Sequence, residues 1–228
     1  MGDCFIGSRE VKNNYKESKS KYIKGSYWSR SGILSNYICK LYNGNKNIKI
    51  AEVGVSGGDI LFSLYKNGYK NLLALDINNY IKYPELNNYF KEMDASRNNI
   101  PVETASLDII LSIALIEHLE NPINFINEAI RVLKSGGRLI VSFPNVNTWL
   151  DKITFLFKGD IFGYRKDNNH IFIITPAIFH KLFLRNFNIE KVMYADPFIP
   201  YIKPRRLNKF LPKSRFLSLK VCYILIKK

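Results

Sequence analysis

The chain has 228 residues, 46% of them hydrophobic and 14% aromatic, and carries a net charge of +15 at neutral pH. That length suits one ordinary domain with a substantial core, and the apolar content excludes a disordered or low-complexity polymer. No apolar run approaches the roughly 18 residues of a membrane span, the first residues lack the apolar stretch of a secretory leader, Ile6 breaks a myristoylation pattern, and Cys4, Cys39 and Cys222 lie too far apart for a disulfide framework or a zinc pair.

In chain order, residues 1–47 offer a helix around 29–43, with Tyr22, Tyr27, Trp28 and Arg30 as aromatic and basic candidates over a ligand. The run 48–55 (IKIAEVGV) is short, apolar and ends at glycine, as a buried parallel strand does. Ile60, Leu61, Leu64 and Tyr65 follow at helical spacing, and Asn67-Gly68 stops them. Residues 72–77 (LLALDI), 90–95 (FKEMDA) and 107–115 (LDIILSIAL) read as further strands. Pro122 opens a helix whose apolar face runs from Phe125 to Leu133, with its end expected at Ser135-Gly136-Gly137. Residues 137–145 then form another buried strand. This alternation predicts an α/β fold with a doubly wound, mostly parallel sheet. Residues 146–173 are aromatic and have no clear period, 175–187 read as a helix capped by Thr175-Pro176, and 188–196 and 218–228 read as strands.

The charge is uneven. Residues 1–50 hold 10 Lys/Arg against 3 Asp/Glu, 51–196 hold 15 against 16, and 197–228 hold 9 against none. Basic ends of this kind attract nucleic acid or anionic lipid, or they are solvated surface.

Glu52-Val-Gly-Val-Ser-Gly-Gly-Asp59 occupies the first strand-to-helix turn. A dinucleotide fingerprint needs a glycine where Asp59 stands, and a P-loop needs a following lysine that is missing. The acids instead suit a ligand with a cationic end and hydroxyls: Glu52 before the turn, Asp76 closing the second strand, and Asp94 after the third.

In that order and spacing, EVGVSGG, LDI, MDA, SLDIILSIALIEHLENP and RVLKSGGRLIVSFPN resemble the class I S-adenosylmethionine-dependent methyltransferases over about residues 48–187, in the small-molecule branch typified by type 11 and type 23 domains. The resemblance implies a Rossmann-like sheet of seven strands with an antiparallel C-terminal strand. It also implies S-adenosyl-L-methionine as cofactor, with Glu52, Gly54, Ser56, Gly58, Asp76, Ile77, Asp94, Ala95 and Ser112 at the donor. Ser56 stands where the family has its middle glycine. The implied organisation is one methyltransferase domain: an N-terminal helical cover (1–47), a donor-binding core (48–145), and an acceptor-side insert, basic lid and final strands (146–228).

Methyl transfer to oxygen calls for a base. His118, just past the fourth strand, is the first candidate, and His170 in the irregular insert is the second. Glu117-His118 also resembles quinone-type O-methyltransferases, but Ala114 replaces the acid through which some of those hold a metal. Two donors are too few, so no metal is expected. The stretch after the fourth strand lacks the N/D-P-P-Y pattern of enzymes that methylate exocyclic amines, and no cysteine suits cytosine C5 chemistry. The expected acceptor is a small molecule, glycan or lipid-linked compound; the alternatives are an RNA ribose or tRNA methyltransferase and a non-catalytic module holding an anionic partner. The aromatic insert 149–164 (Trp149, Phe155, Phe157, Phe162, Tyr164) is expected to line an apolar pocket. The basic-aromatic stretch 198–217 is expected either to close over it or to touch RNA or an anionic membrane, in a cytoplasmic protein.

Overall fold

The computed structural model describes residues 27–166, 168–200, 208 and 210–228. Tyr22, the Arg30 side chain and the basic stretch 201–207 with Lys209 lie outside the described residues. Two short helices, α1 (Tyr27–Arg30) and α2 (Ile33–Leu41), precede β1 (Ile50–Val53), α3 (Asp59–Lys66), β2 (Leu72–Asp76) and β3 (Phe90–Glu92). Then follow β4 (Leu107–Ile113), α4 (Pro122–Val132), β5 (Leu133–Pro144), α5 (Trp149–Lys158), α6 (Pro176–Phe183), β6 (Phe187–Pro197) and β7 (Ser218–Lys227).

The strands form one seven-stranded sheet in the order β3-β2-β1-β4-β5-β7-β6. The first five are parallel, and β7 runs antiparallel to both β5 and β6. β1 is buried along its whole length, because helices cover both faces of the sheet. One face packs against α4 and α6 through Phe125, Ala129, Phe179 and Phe183. The other packs against α1, α2 and α3 through Trp28, Leu34, Ile38, Ile60 and Leu64. The edge strand β6 exposes Glu190 and Lys191 at a register shift, which blunts it against pairing with another chain.

Three sequence expectations are corrected. The first helix breaks at Ser31-Gly32, where Gly32 takes φ +67. α4 ends at Val132, and β5 begins at once because residues 133–144 extend the sheet. The unclassified insert contains α5. Its helical signal was a capping pair: Thr148 accepts the Asp151 N–H and donates its hydroxyl to the Asp151 carboxylate. Phe155, Leu156 and Phe157 stand in succession and hide any helical period.

The strand order reverses between β1 and β4, and a crevice opens there at the carboxyl ends of the strands. This is where open parallel sheets receive ligands.

Candidate active site

The turn after β1 is built by backbone conformations that favour glycine. Gly54 has φ +77, and a Cβ on it would lie 3.0–3.3 Å from Leu115 across the crevice. Gly58 has φ +78 at the N-cap of α3, with Leu86 at 3.2 Å from such a Cβ. Ser56 adopts φ +49 without being glycine.

Asp76 stands at the end of β2. Its two oxygens accept the N–H groups of Ser56 (2.9 Å) and Ile77 (2.8 Å), which locks the carboxylate to the glycine turn. Burial pushes its pKa up to about 6, against the pull of those backbone bonds. Asp94 follows β3, accepts the Ser96 N–H at 2.9 Å, and sits 3.8 Å from the Arg97 guanidinium. Its loop is held by Asn124 of α4, whose side-chain amide donates to the carbonyls of Ala95 and Asn98, both at 3.1 Å.

Gly54, Asp76, Ile77, Asp94, Ala95, Leu115 and His118 line one cleft that is open to solvent. Leu119 and Glu120, which the sequence reading did not select, also line it. Their signal was their position beside His118 on the loop after β4.

The other donor candidates lie outside the cleft walls. Glu52 is 2% exposed and turned into the sheet–helix interface, where it accepts a hydrogen bond from the Leu61 backbone. Burial raises its pKa well above the usual carboxylate range. Ser112 is fully buried in β4. Ser56 and Gly58 shape the turn. Asp59, the acid that argued against a dinucleotide, is clamped by Lys82 at 2.9 Å and by the Tyr83 hydroxyl at 2.7 Å, which pins α3 to the segment before β3.

The loop after β4 carries Glu117 and His118, and the Glu117 carbonyl accepts the N–H groups of Ile171 (2.8 Å) and Phe172 (3.1 Å). That pair of bonds delivers His170 to His118, with ring centroids 4.8 Å apart. His118 Nδ1 lies 3.1 Å from the Asn169 carbonyl, and His170 Nδ1 lies 2.7 Å from the Gly163 carbonyl. A carbonyl only accepts, so each Nδ1 carries the proton and each Nε2 keeps a lone pair. Burial first and the neighbouring His170 second push the His118 pKa down to about 4, so its ring is neutral at physiological pH. Glu117 is buried, its Oε2 has no hydrogen-bond partner, and burial pushes its pKa up to about 8.

One donor atom from each of Glu117, His118 and His170 lies within 4.8 Å of the others. The expectation of no metal rested on two donors; the fold adds His170 as a third.

His118 lines the first cleft, whereas His170 lines a second cavity of about 500 Å³ with Asn145, Asp151, Phe162 and Lys220. The aromatic insert divides. Phe162 joins this cavity and Tyr164 packs on His170, but Phe155 and Phe157 point to solvent, 62% and 78% exposed. They line neither the cleft nor this cavity, because α5 projects beyond its Asp151 anchor. The N-terminal helices likewise pack on the sheet face against α3, and Tyr27 and Trp28 are absent from the cleft walls. His180 is exposed on α6. Asp108 is structural, paired with Lys134 at 2.7 Å and accepting the Lys49 N–H at 2.8 Å.

The family model described as a methyltransferase domain matches residues 51–141. A Rickettsia bellii protein named ubiquinone biosynthesis O-methyltransferase is 26% identical over 203 residues, covering 78% of this chain and 82% of that one. Among solved structures, the PH0226 protein of Pyrococcus horikoshii has a TM-score of 0.62 at 19% identity, covering 95% of this chain and 99% of that one. A SAM-dependent methyltransferase from Archaeoglobus fulgidus has a TM-score of 0.60 at 16% identity, covering 94% and 99%. Residues 51–141 carry a methyltransferase domain, and the chain is an S-adenosylmethionine-dependent methyltransferase with S-adenosyl-L-methionine as its cofactor. The residues present fit that group: the close approach of Gly54 to Leu115 leaves a surface without side-chain bulk, and Asp76 has acceptor capacity on the cleft wall.

Proposed function

We propose that this methyltransferase acts on a hydroxyl of a small-molecule, glycan or lipid-linked acceptor. The donor sits in the cleft between Gly54, Asp76 and Asp94, and the acceptor enters from the cavity lined by His170. The observation that carries this reading is the contact of His118 and His170 between two cavities, each ring with an unprotonated Nε2. The relative named for O-methylation in ubiquinone biosynthesis supports an oxygen acceptor.

When bound, S-adenosylmethionine supplies an electrophilic methyl group. In this reading Asp76 accepts hydrogen bonds from the ribose hydroxyls, Ile77 and Leu115 flank the adenine, and Asp94 with Ala95 meets its amino edge. Glu52 acts from behind, holding the start of α3 against β1. His118 Nε2 takes the acceptor's hydroxyl proton as the oxygen attacks, while its Nδ1–H stays on the Asn169 carbonyl and keeps the ring aimed. His170 orients the acceptor. The neutral imidazole makes His118 ready to receive a proton, although its low pKa makes it a weak base. An acidic hydroxyl such as a phenol is therefore favoured over an alkyl alcohol.

The test begins with calorimetric titration of S-adenosylmethionine and S-adenosylhomocysteine, followed by labelled methyl transfer to phenols and polyprenyl-linked acceptors. His118→Ala is expected to lower turnover by about 10²–10⁴-fold with donor affinity nearly intact. Full turnover in that variant would remove His118 as the base.

A second reading of the same corner is a divalent cation held by Glu117, His118 and His170, with each histidine oriented by its carbonyl partner. Loss of turnover on chelation, restored by added Mg²⁺ or Zn²⁺, would favour it over the base.

A further inference from the structure

Helix α5 leaves the body of the molecule with an apolar tip. Ile153, Phe155, Leu156 and Phe157 are 46%, 62%, 76% and 78% exposed. Successive helical residues turn by about 100°, so these four spread over roughly 200° of the helix circumference, with Thr154 and Lys158 on the remaining side. A groove on a protein partner covers one face of a helix and would leave the rest of this tip in water. A lipid phase can cover an apolar arc of this width together with its ends. The tip is flanked by the exposed Lys152 and Lys158, and the Lys152 ammonium lies 4.5 Å from the ring centroid of Phe216, itself 55% exposed. The acid of the helix, Asp151, is buried at its base, and Asp160 just past the tip accepts the Ile161 N–H at 2.8 Å. Residues 197–228, which include Phe216, carry nine basic side chains and no acid. Apolar side chains rimmed by lysines match the acyl chains and anionic headgroups of a bilayer surface.

We propose that the tip of α5 inserts into the surface of an anionic lipid bilayer and docks the enzyme there. Asp151 at the base of the same helix lines the cavity that contains His170, so docking brings that cavity to the lipid boundary. The proposal stands without the assignment of acceptor or base.

The test is co-sedimentation of the full chain with phosphatidylcholine vesicles, with and without phosphatidylglycerol. Binding to the anionic vesicles is expected, weakened by salt. The combined variant Phe155→Ser, Leu156→Ser, Phe157→Ser is expected to bind more than about tenfold more weakly while keeping its affinity for S-adenosylhomocysteine, since the three side chains are mostly exposed and none lines the cleft. A parent that ignores anionic vesicles, or a variant that binds them equally well, overturns the proposal. So does a dimer in light scattering that the variant dissolves, because a second copy would then cover the tip. A readout free of mutation uses Trp149 at the start of α5; the other tryptophan, Trp28, is buried in the core. Brominated acyl chains are expected to quench Trp149, and undiminished emission counts against insertion.

Discussion

Ser56 holds a left-handed backbone, φ +49, in the turn after β1. An L-residue there costs about 1–2 kcal/mol against its preferred conformations, partly offset by glycine's freedom in the unfolded chain. Ser56→Gly is therefore expected to leave stability unchanged or to raise it by up to about 1 kcal/mol in denaturant melts. Asp76, twenty residues on, makes a sharper prediction. Burial raises its pKa from 3.8 to about 6, so the free protein takes up a proton as pH falls through that value. In the proposed donor site the carboxylate is the form that accepts two ribose hydroxyls, so affinity for S-adenosylhomocysteine should fall below about pH 6, and Asp76→Ala should lower it more than about tenfold at neutral pH. The stability contribution runs the other way. A raised carboxyl pKa favours the folded state as pH drops from about 6 towards 3.8, so weakened binding in that window cannot be ascribed to this group unfolding the protein.

Among the elements, α4 does more than cover the sheet. Arg131 donates to the carbonyls of Ile100 (2.9 Å) and Val102 (3.0 Å) and pairs with Glu128 at 2.7 Å, while Glu128 accepts the Ile100 N–H at 2.8 Å. Together with Asn124, these bonds hold the loop between β3 and β4, which carries Asp94 and Ala95. Asn124→Ala removes the two bonds to Ala95 and Asn98 and is expected to weaken donor binding several-fold, at a stability cost of about 1–3 kcal/mol. Unchanged donor affinity by calorimetry would mean that the loop holds its shape without α4. At the other end of the sheet, Asn145 donates to the carbonyls of Arg215 and Ser218 at 2.8 and 2.7 Å, tying the end of β5 to the start of β7 beside the second cavity.

At the scale of the whole molecule, the sheet needs cover on both faces, and α1 with α2 supplies part of one. Trp28, Leu34 and Ile38 are essentially fully buried against Ile60 and Leu64. Ile38→Ala is expected to cost about 2–5 kcal/mol of stability while leaving donor affinity unchanged in the folded protein. A loss of affinity without a loss of stability would instead restore this segment to the role of a cover over the ligand. No helix among the described residues is long and apolar enough to cross a membrane.

The parallel core was legible in the amino-acid order. Apolar strand runs, helix-spaced side chains and an acid or glycine at each strand end announce β1 to β5, and with them the cleft residues Gly54, Asp76, Asp94 and His118. Such signals are local: each strand is buried on both faces and must be continuously apolar, and each turn must accept a particular backbone conformation. Glu52 and Ser112 sit at strand positions whose sequence context does not reveal which way the side chain turns, and the tertiary structure sends both away from the cleft walls. The helix α5 was hidden because its apolar residues face water, so no core periodicity marks it. His170 is 52 residues beyond His118 and reaches it only because the Glu117 carbonyl captures Ile171 and Phe172. Sequence by itself determined the class of fold and the edge of the sheet where the cleft opens, since both follow from local pattern and burial. Only the tertiary structure decided the histidine pair, the second cavity and the exposed apolar tip, because these depend on long-range backbone hydrogen bonds and on which surfaces the packing leaves uncovered.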